Sequence, residues 1–107
     1  MNQEINSVNI QNKDLENIFI NISFVKDPQM LELNTKYKNK SYPTDVLSFN
    51  INEKMADGKF YLGDVVVNID QAARQASDYG NDVKHEIAEL VEHGVLHLLG
   101  VHHEHDE

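Results

Sequence analysis

Residues 61–80 read YLGDVVVNIDQAARQASDYG, and the two halves of this stretch obey different rules. Val65, Val66 and Val67 are β-branched and consecutive, so a strand built from them puts apolar side chains on both of its faces. Both faces must then be covered. Asn68, with Gln71 three residues on, resembles a capping box and opens a helix, DQAARQASDY, which stops at Gly80. A strand buried on both faces that leads straight into a helix points to helices packed on a small sheet, not to an all-β or all-helical chain.

Working toward the N-terminus, YPTDVLSFNI (42–51) sets the turn residues Pro43, Thr44 and Asp45 before a β-rich run from Val46 to Ile51. The loop 53–59 contains Asp57-Gly58, a strong turn signal. Earlier still, NIFINISFV (17–25) alternates Ile18, Ile20, Ile22 and Phe24, the period of a half-buried strand. Asp27-Pro28 then reads as an N-cap with proline at the first helical position, ahead of Met30, Leu31, Leu33, Asn34 and Tyr37 at helical spacing. Lys36, Lys38 and Lys40 close this segment as the densest positive cluster. Ile5, Val8 and Ile10 are compatible with one more strand. The last helix begins near Asn81 or Asp82. The pattern predicts an α/β or α+β domain over residues 1–107, with the final helix against a small sheet.

The bulk numbers narrow the chemistry. A chain of 107 residues suits one domain and one site. It has no cysteine, so a transition metal would be held by nitrogen and oxygen ligands. No stretch approaches the roughly 20 apolar residues of a membrane span, and the N-terminus lacks a signal-peptide pattern; the expectation is a cytoplasmic protein. Its formal charge of −9 repels nucleic acid overall, so RNA contact would be local, through a basic segment, and no DNA partner is expected.

The C-terminal stretch HGVLHLLGVHHEHDE (93–107) crowds imidazoles together. On a helical wheel His97 falls about 40° from His93, one turn along, so two imidazoles reach one ion. Val83, Ile87, Val91, Val95 and Leu98 form an apolar arc that anchors the helix. Gly100 permits a left-handed helix end and a chain reversal toward His103. The spacing His93-x-x-x-His97-x-x-Gly100-x-x-His103 is that of the metzincin ligands, H-E-x-x-H-x-x-G-x-x-H, but the catalytic glutamate's place is taken by Gly94. The ligands are present and the peptidase base is not. Three neutral imidazoles leave one zinc ion doubly positive with an open position for a water that ionises near neutral pH. Such ligands also suit nickel, copper or iron. Glu86 and Glu89 fall on the histidine face of the wheel as candidate ligand-orienting groups, and His102, Glu104, His105 and Asp106 are candidates for proton transfer. His85 reads as a solvated helix residue.

The chain resembles the YbeY family of bacterial ribosomal-RNA maturation endoribonucleases. HGVLHLLGVHH matches the signature H-G-x-L-H-L-x-G-x-D-H at every specified position but one; LNTKYKNKSYPTDVLSF is similar to LN-x-x-YR followed by PTDVLSF; YLGDVVV is similar to the LGDI segment; Glu86 stands where the family carries a glutamate. The resemblance spans about residues 17–103. It implies a small mixed, mostly parallel sheet flanked by helices, with His93, His97 and His103 as ligands of one zinc ion. The implied activity is single-strand-specific cleavage in 16S rRNA 3′-end maturation and ribosome quality control, on the small ribosomal subunit. Lys38 takes the position of the family's functional arginine, keeping its charge but losing its planar fork. His102 replaces an aspartate before the third ligand. Two other readings stand beside this one: a ribosome-associated module in which zinc only fixes the C-terminal turn, and a metzincin-like peptidase using Glu104 or Glu86 as base.

Overall fold

The computed structural model describes residues 17–101. Six elements follow one another: β1 (Ile18–Val25), α1 (Asp27–Lys38), β2 (Val46–Lys54), β3 (Phe60–Asn68), α2 (Ile69–Tyr79) and α3 (Val83–Leu98). The three strands form one sheet in the order β1-β3-β2. β1 runs parallel to β3 and β2 antiparallel to it, so the sheet is mixed, with one pairing of each kind among the described residues. The fold is α+β. The strand proposed around Ile5, Val8 and Ile10 lies outside the described residues.

β3 is the middle strand and the one most deeply buried on both sides. Val65 and Val67, both 0% exposed, pack with Leu62, Ala72, Leu90 and Leu98 on the side of α2 and α3. Val66 turns the other way, into a smaller cluster with Met30 of α1 and Leu47 of β2. Burying one such side chain is worth about 1.5–3 kcal/mol, so β3 holds both layers to the sheet. Opposite Leu62 both pairings shift register, between Phe19 and Ile20 on one side and between Asn50 and Glu53 on the other. Asn52 takes a positive φ of 56° in the second of these irregularities.

β1 only half follows its alternation. Ile18 and Ile20 pack on the larger core, whereas Ile22 and Phe24 are 40% and 54% exposed. A strand with period-two apolar residues is buried only as far as a helix extends over it, which the pattern alone does not reveal. Helix α1 also starts differently from the sequence expectation. Its N-cap is Lys26, extended at φ −114° and ψ 175°, and Asp27 is the first helical residue. The Asp27 side chain is engaged elsewhere.

That engagement forms a polar knot at the end of β3. Asn68, fully buried, caps α2 by accepting from the backbone N–H groups of Asp70 (3.0 Å) and Gln71 (3.4 Å). Its amide donates to Asp27 Oδ1 at 2.8 Å and to the Thr44 carbonyl at 3.0 Å. Arg74 grips both Asp27 oxygens at 2.9 Å. The Asn68 N–H donates to the Asp45 carbonyl at 2.8 Å, and Gln75 donates to the Asp45 side chain at 3.2 Å. The Pro43-Thr44-Asp45 turn is thereby pinned to the β3–α2 junction, which fixes where β2 begins. Gln71 does not reach back to complete a capping box; its side-chain oxygen accepts from Arg74. Helix α2 ends as the sequence predicts, with Gly80 left-handed at φ 72°.

Candidate functional site

Helix α3 carries the histidine pair. Asp82 caps it by accepting from the His85 N–H at 2.7 Å. Its buried side is formed by Glu86, Leu90, Gly94 and Leu98, with Ile87, Val91 and Val95 packed beside them. The arc read from the wheel is therefore displaced toward Leu90 and Gly94, and Val83 is 41% exposed. His93 and His97 fall on the edge of this arc and are half-buried. Both imidazoles thus sit on a helix face that is held to the sheet without being sealed by it.

The close approach of helix and sheet is set by Gly94. A β-carbon there would lie 2.5 Å from Val65 Cγ1 and 3.2 Å from Ser48 Oγ. Ser48 Oγ instead donates to the Gly94 carbonyl at 3.1 Å, and the Asn50 amide donates to the Leu98 carbonyl at 3.3 Å. These two β2 side chains tie the last turns of α3 to the sheet, and the Leu98 carbonyl is one that a helix end leaves open. A glutamate after the first histidine, as a metzincin requires, has no space here.

The chain reverses as the glycine predicts. Gly100 adopts φ 88°, its N–H donates to the His97 carbonyl at 3.1 Å, and the Val101 N–H donates to the Leu96 carbonyl at 2.9 Å. This bond pair is a Schellman motif, which closes a helix and turns the chain back. His102, His103, Glu104, His105 and Asp106 lie outside the described residues, and among the described residues no third donor joins His93 and His97. Two imidazoles one turn apart, with no thiolate, fit a borderline divalent ion such as zinc.

Of the two glutamates proposed to orient the ligands, Glu86 is buried and Glu89 is turned to His85. Glu86 is 5% exposed, and among the described residues its Oε1 accepts no hydrogen bond. It lies two turns before His93, about 10 Å along the axis, and helical side chains lean toward the N-terminus, away from the pair. Glu89 is 60% exposed at its side chain and faces His85 Nε2 at 3.3 Å, an exposed pair one turn apart.

Lys38 belongs to the other layer. Its Nζ stands 5.4 Å from the Phe49 ring centroid. Phe49 and Leu47 of β2 face α1, whereas Val46 and Ser48 face α3. The residues of the PTDVLSF segment thus divide, one by one, between the two sides of β2, which is an edge strand among the described residues. Sequence reasoning missed the aromatic partners of the basic cluster. Lys36 Nζ lies 5.2 Å from the Tyr37 ring and Lys40 Nζ 5.9 Å from that of Tyr42. The alternation of lysine and tyrosine in KYKNKSY was the available signal. Further along the sheet, Tyr61 donates its hydroxyl to Asp64 Oδ1 and packs edge-on to Phe19 at 5.2 Å. The Asp64 carboxylate holds the Tyr61 hydroxyl above its ordinary pKa.

Comparison with known proteins bears on the family and the fold. The family model described as Endoribonuclease YbeY matches residues 1–107. The Endoribonuclease YbeY of Aquifex aeolicus (strain VF5) is 42% identical over 90 residues, covering 84% of this chain and 59% of the relative. That of Persephonella marina is 39% identical over 99 residues, covering 92% and 65%. Among solved structures, the solution structure of TM1509 from Thermotoga maritima matches with a TM-score of 0.59 at 29% identity, covering 89% of this chain and 60% of that one. The chain therefore spans about 60% of the length of the relatives it matches. With the family model matching from end to end and relatives about 40% identical over more than four-fifths of its length, the chain belongs to the YbeY endoribonuclease family.

Proposed function

We propose that this protein is a zinc-dependent, single-strand-specific endoribonuclease of the cytoplasm, acting in 16S rRNA 3′-end maturation and ribosome quality control on the small ribosomal subunit. The observation that carries the reading is the half-buried His93–His97 pair on a helix that ends in a chain reversal at Gly100. His93, His97 and His103 hold one zinc ion. When bound, that ion supplies Lewis acidity and an ionisable water for phosphodiester hydrolysis. Lys38 binds the RNA backbone from the far side of the β2 edge, and His102 and Glu104 handle protons beside the third ligand. No helix among the described residues is long and apolar enough to cross a membrane. The relatives' name favours a nuclease over both the peptidase and the non-catalytic module.

The test is cleavage of an RNA spanning the precursor 3′ end of the small-subunit rRNA by zinc-loaded protein, chelated protein and His97→Ala in parallel. Cutting by the loaded protein alone is expected. Equal cutting by His97→Ala, or no cutting while stoichiometric zinc stays bound, overturns the reading.

A further inference from the structure

Three of the nine lysines and arginines of this acidic chain lie within residues 36–40. Each stands over a ring: Lys36 over Tyr37, Lys38 over Phe49 and Lys40 over Tyr42, at 5.2, 5.4 and 5.9 Å. All the cation–π pairs among the described residues fall in this cluster. Lysines at a helix C-terminus are ordinary, since they complement its dipole. Two large rings left open beside them are not required by that role: Tyr37 is 55% and Tyr42 47% exposed.

The rings are also braced. Tyr37 packs edge-on against Phe49 at 5.4 Å. Asn39 turns left-handed at φ 57°, the Lys40 N–H donates to the Asn34 carbonyl at 3.2 Å, and Thr35 Oγ1 donates to the Lys40 carbonyl at 3.0 Å. The amide of Asn34, 1% exposed, donates to the Tyr42 carbonyl at 2.7 Å. Tyr37 therefore projects from the last turn of α1 and Tyr42 from the pinned segment that follows it, and little backbone ordering is left to be lost when something stacks on them.

Unpaired bases offer free faces to such rings while their phosphates meet the intervening lysines; in a duplex those faces are already stacked on neighbouring bases. We propose that Tyr37 and Tyr42 are base-stacking platforms, flanked by phosphate contacts from Lys36, Lys38 and Lys40, through which the protein selects an unpaired RNA strand. This rests on the endoribonuclease reading and assigns the residues that give it single-strand selectivity. Stacking on π faces is tolerant of sequence, so the platform confers strandedness, not base identity.

The test measures binding of a short fluorescent oligouridylate, and of the same strand paired with oligoadenylate, to chelated protein over a range of salt concentrations. Tyr37→Leu and Tyr42→Leu should each weaken single-strand binding about 5- to 30-fold. Their salt dependence should match that of the wild type. Tyr37→Phe and Tyr42→Phe keep the ring and should bind as the wild type does. Replacing Lys36, Lys38 and Lys40 together by Gln should reduce the slope of log affinity against log salt by about 2. Leucine variants that melt like the wild type yet bind single strands equally well overturn the proposal, as does an equal loss for the duplex. Zinc-loaded wild type is then tested for cleavage of the same single strand. Cleavage with ring-independent binding defeats the platform alone; ring-dependent binding without cleavage supports the platform and defeats the hydrolase.

Discussion

Gly94 of α3 and Val65 of β3 are in contact with no room for a β-carbon: one placed at 94 would stand 2.5 Å from Val65 Cγ1. The helix therefore lies as close to the sheet as a backbone can, and the His93–His97 face is set at that height. Gly94→Ala gains about 1 kcal/mol of helix propensity but incurs an overpacking cost of about 1–3 kcal/mol against a stiff β-branched neighbour. The expected net effect is a loss of about 1 kcal/mol and a melting temperature lower by about 5 °C. A calorimetric scan showing an unchanged or raised melting temperature would refute this packing argument.

Gly100 poses the opposite case. A β-carbon there meets nothing within 4 Å, yet φ is 88°. Gly100→Ala should cost about 1 kcal/mol through backbone strain alone. Gly100→Asn should recover part of that, because asparagine tolerates the left-handed region. Equal stability of the two variants in urea would contradict the assignment of the cost to φ.

Asn68 joins the β3–α2 junction to both Asp27 and Thr44 from a fully buried position. Asn68→Ala removes a helix cap worth about 1 kcal/mol and leaves buried partners unpaired at about 1–3 kcal/mol. A destabilisation of about 2–4 kcal/mol in denaturant titration is expected. A loss well below 1 kcal/mol would mean that the knot is relaxed in solution.

The acid limb of stability should depend on Asp27. The paired Arg74 guanidinium, with help from the Asn68 amide, holds its carboxyl below the ordinary value of 3.8. A depressed carboxylate contributes stability that is full above that ordinary value and is lost as pH falls through the folded value. Asp27→Asn should therefore flatten the decline in melting temperature on acidification below about pH 4. If variant and wild type lost stability in parallel from neutral pH downward, Asp27 would not be the group responsible.

Zinc should stabilise the fold through the histidines. A ligand at 100 times its dissociation constant adds about 3 kcal/mol to the state that binds it. Added zinc should thus raise the melting temperature of the chelator-stripped wild type, and barely that of His97→Ala. An equal rise in both would place the metal elsewhere, and isothermal titration of the two proteins would read the stoichiometry directly.

Much of the fold was legible because local chemistry and tertiary structure agree. The Val65–Val67 run is buried on both faces, Asn68 and Gly80 bound α2, Asp82 starts α3 and Gly100 ends its turn, each at the position where its residue type is physically favoured. Asp27 was misread as a cap because an aspartate before a proline fits that role in isolation; a guanidinium 47 residues away claims its carboxylate instead. The histidine spacing was legible because i and i+4 share a helix face in any helix. Glu86 was not, since a wheel shows only angle, whereas axial distance and the depth of the neighbouring layer decide whether a carboxylate reaches a ligand or is buried away from it.

By itself the sequence determined the order and type of the elements, the both-sided burial of β3, the histidine frame and the glycine that stands in that frame where a peptidase glutamate would be, all properties set within one or two helical turns or one strand. Only the tertiary structure decided that Ser48 and Asn50 fasten the last turns of α3, that Lys38 stands on the opposite side of β2 from the histidines, and that Tyr37 and Tyr42 remain open beside the lysines. Those outcomes depend on which faces of β2 and β3 meet which helix, and a pairing register that turns on irregularities opposite Leu62 is written in no local pattern.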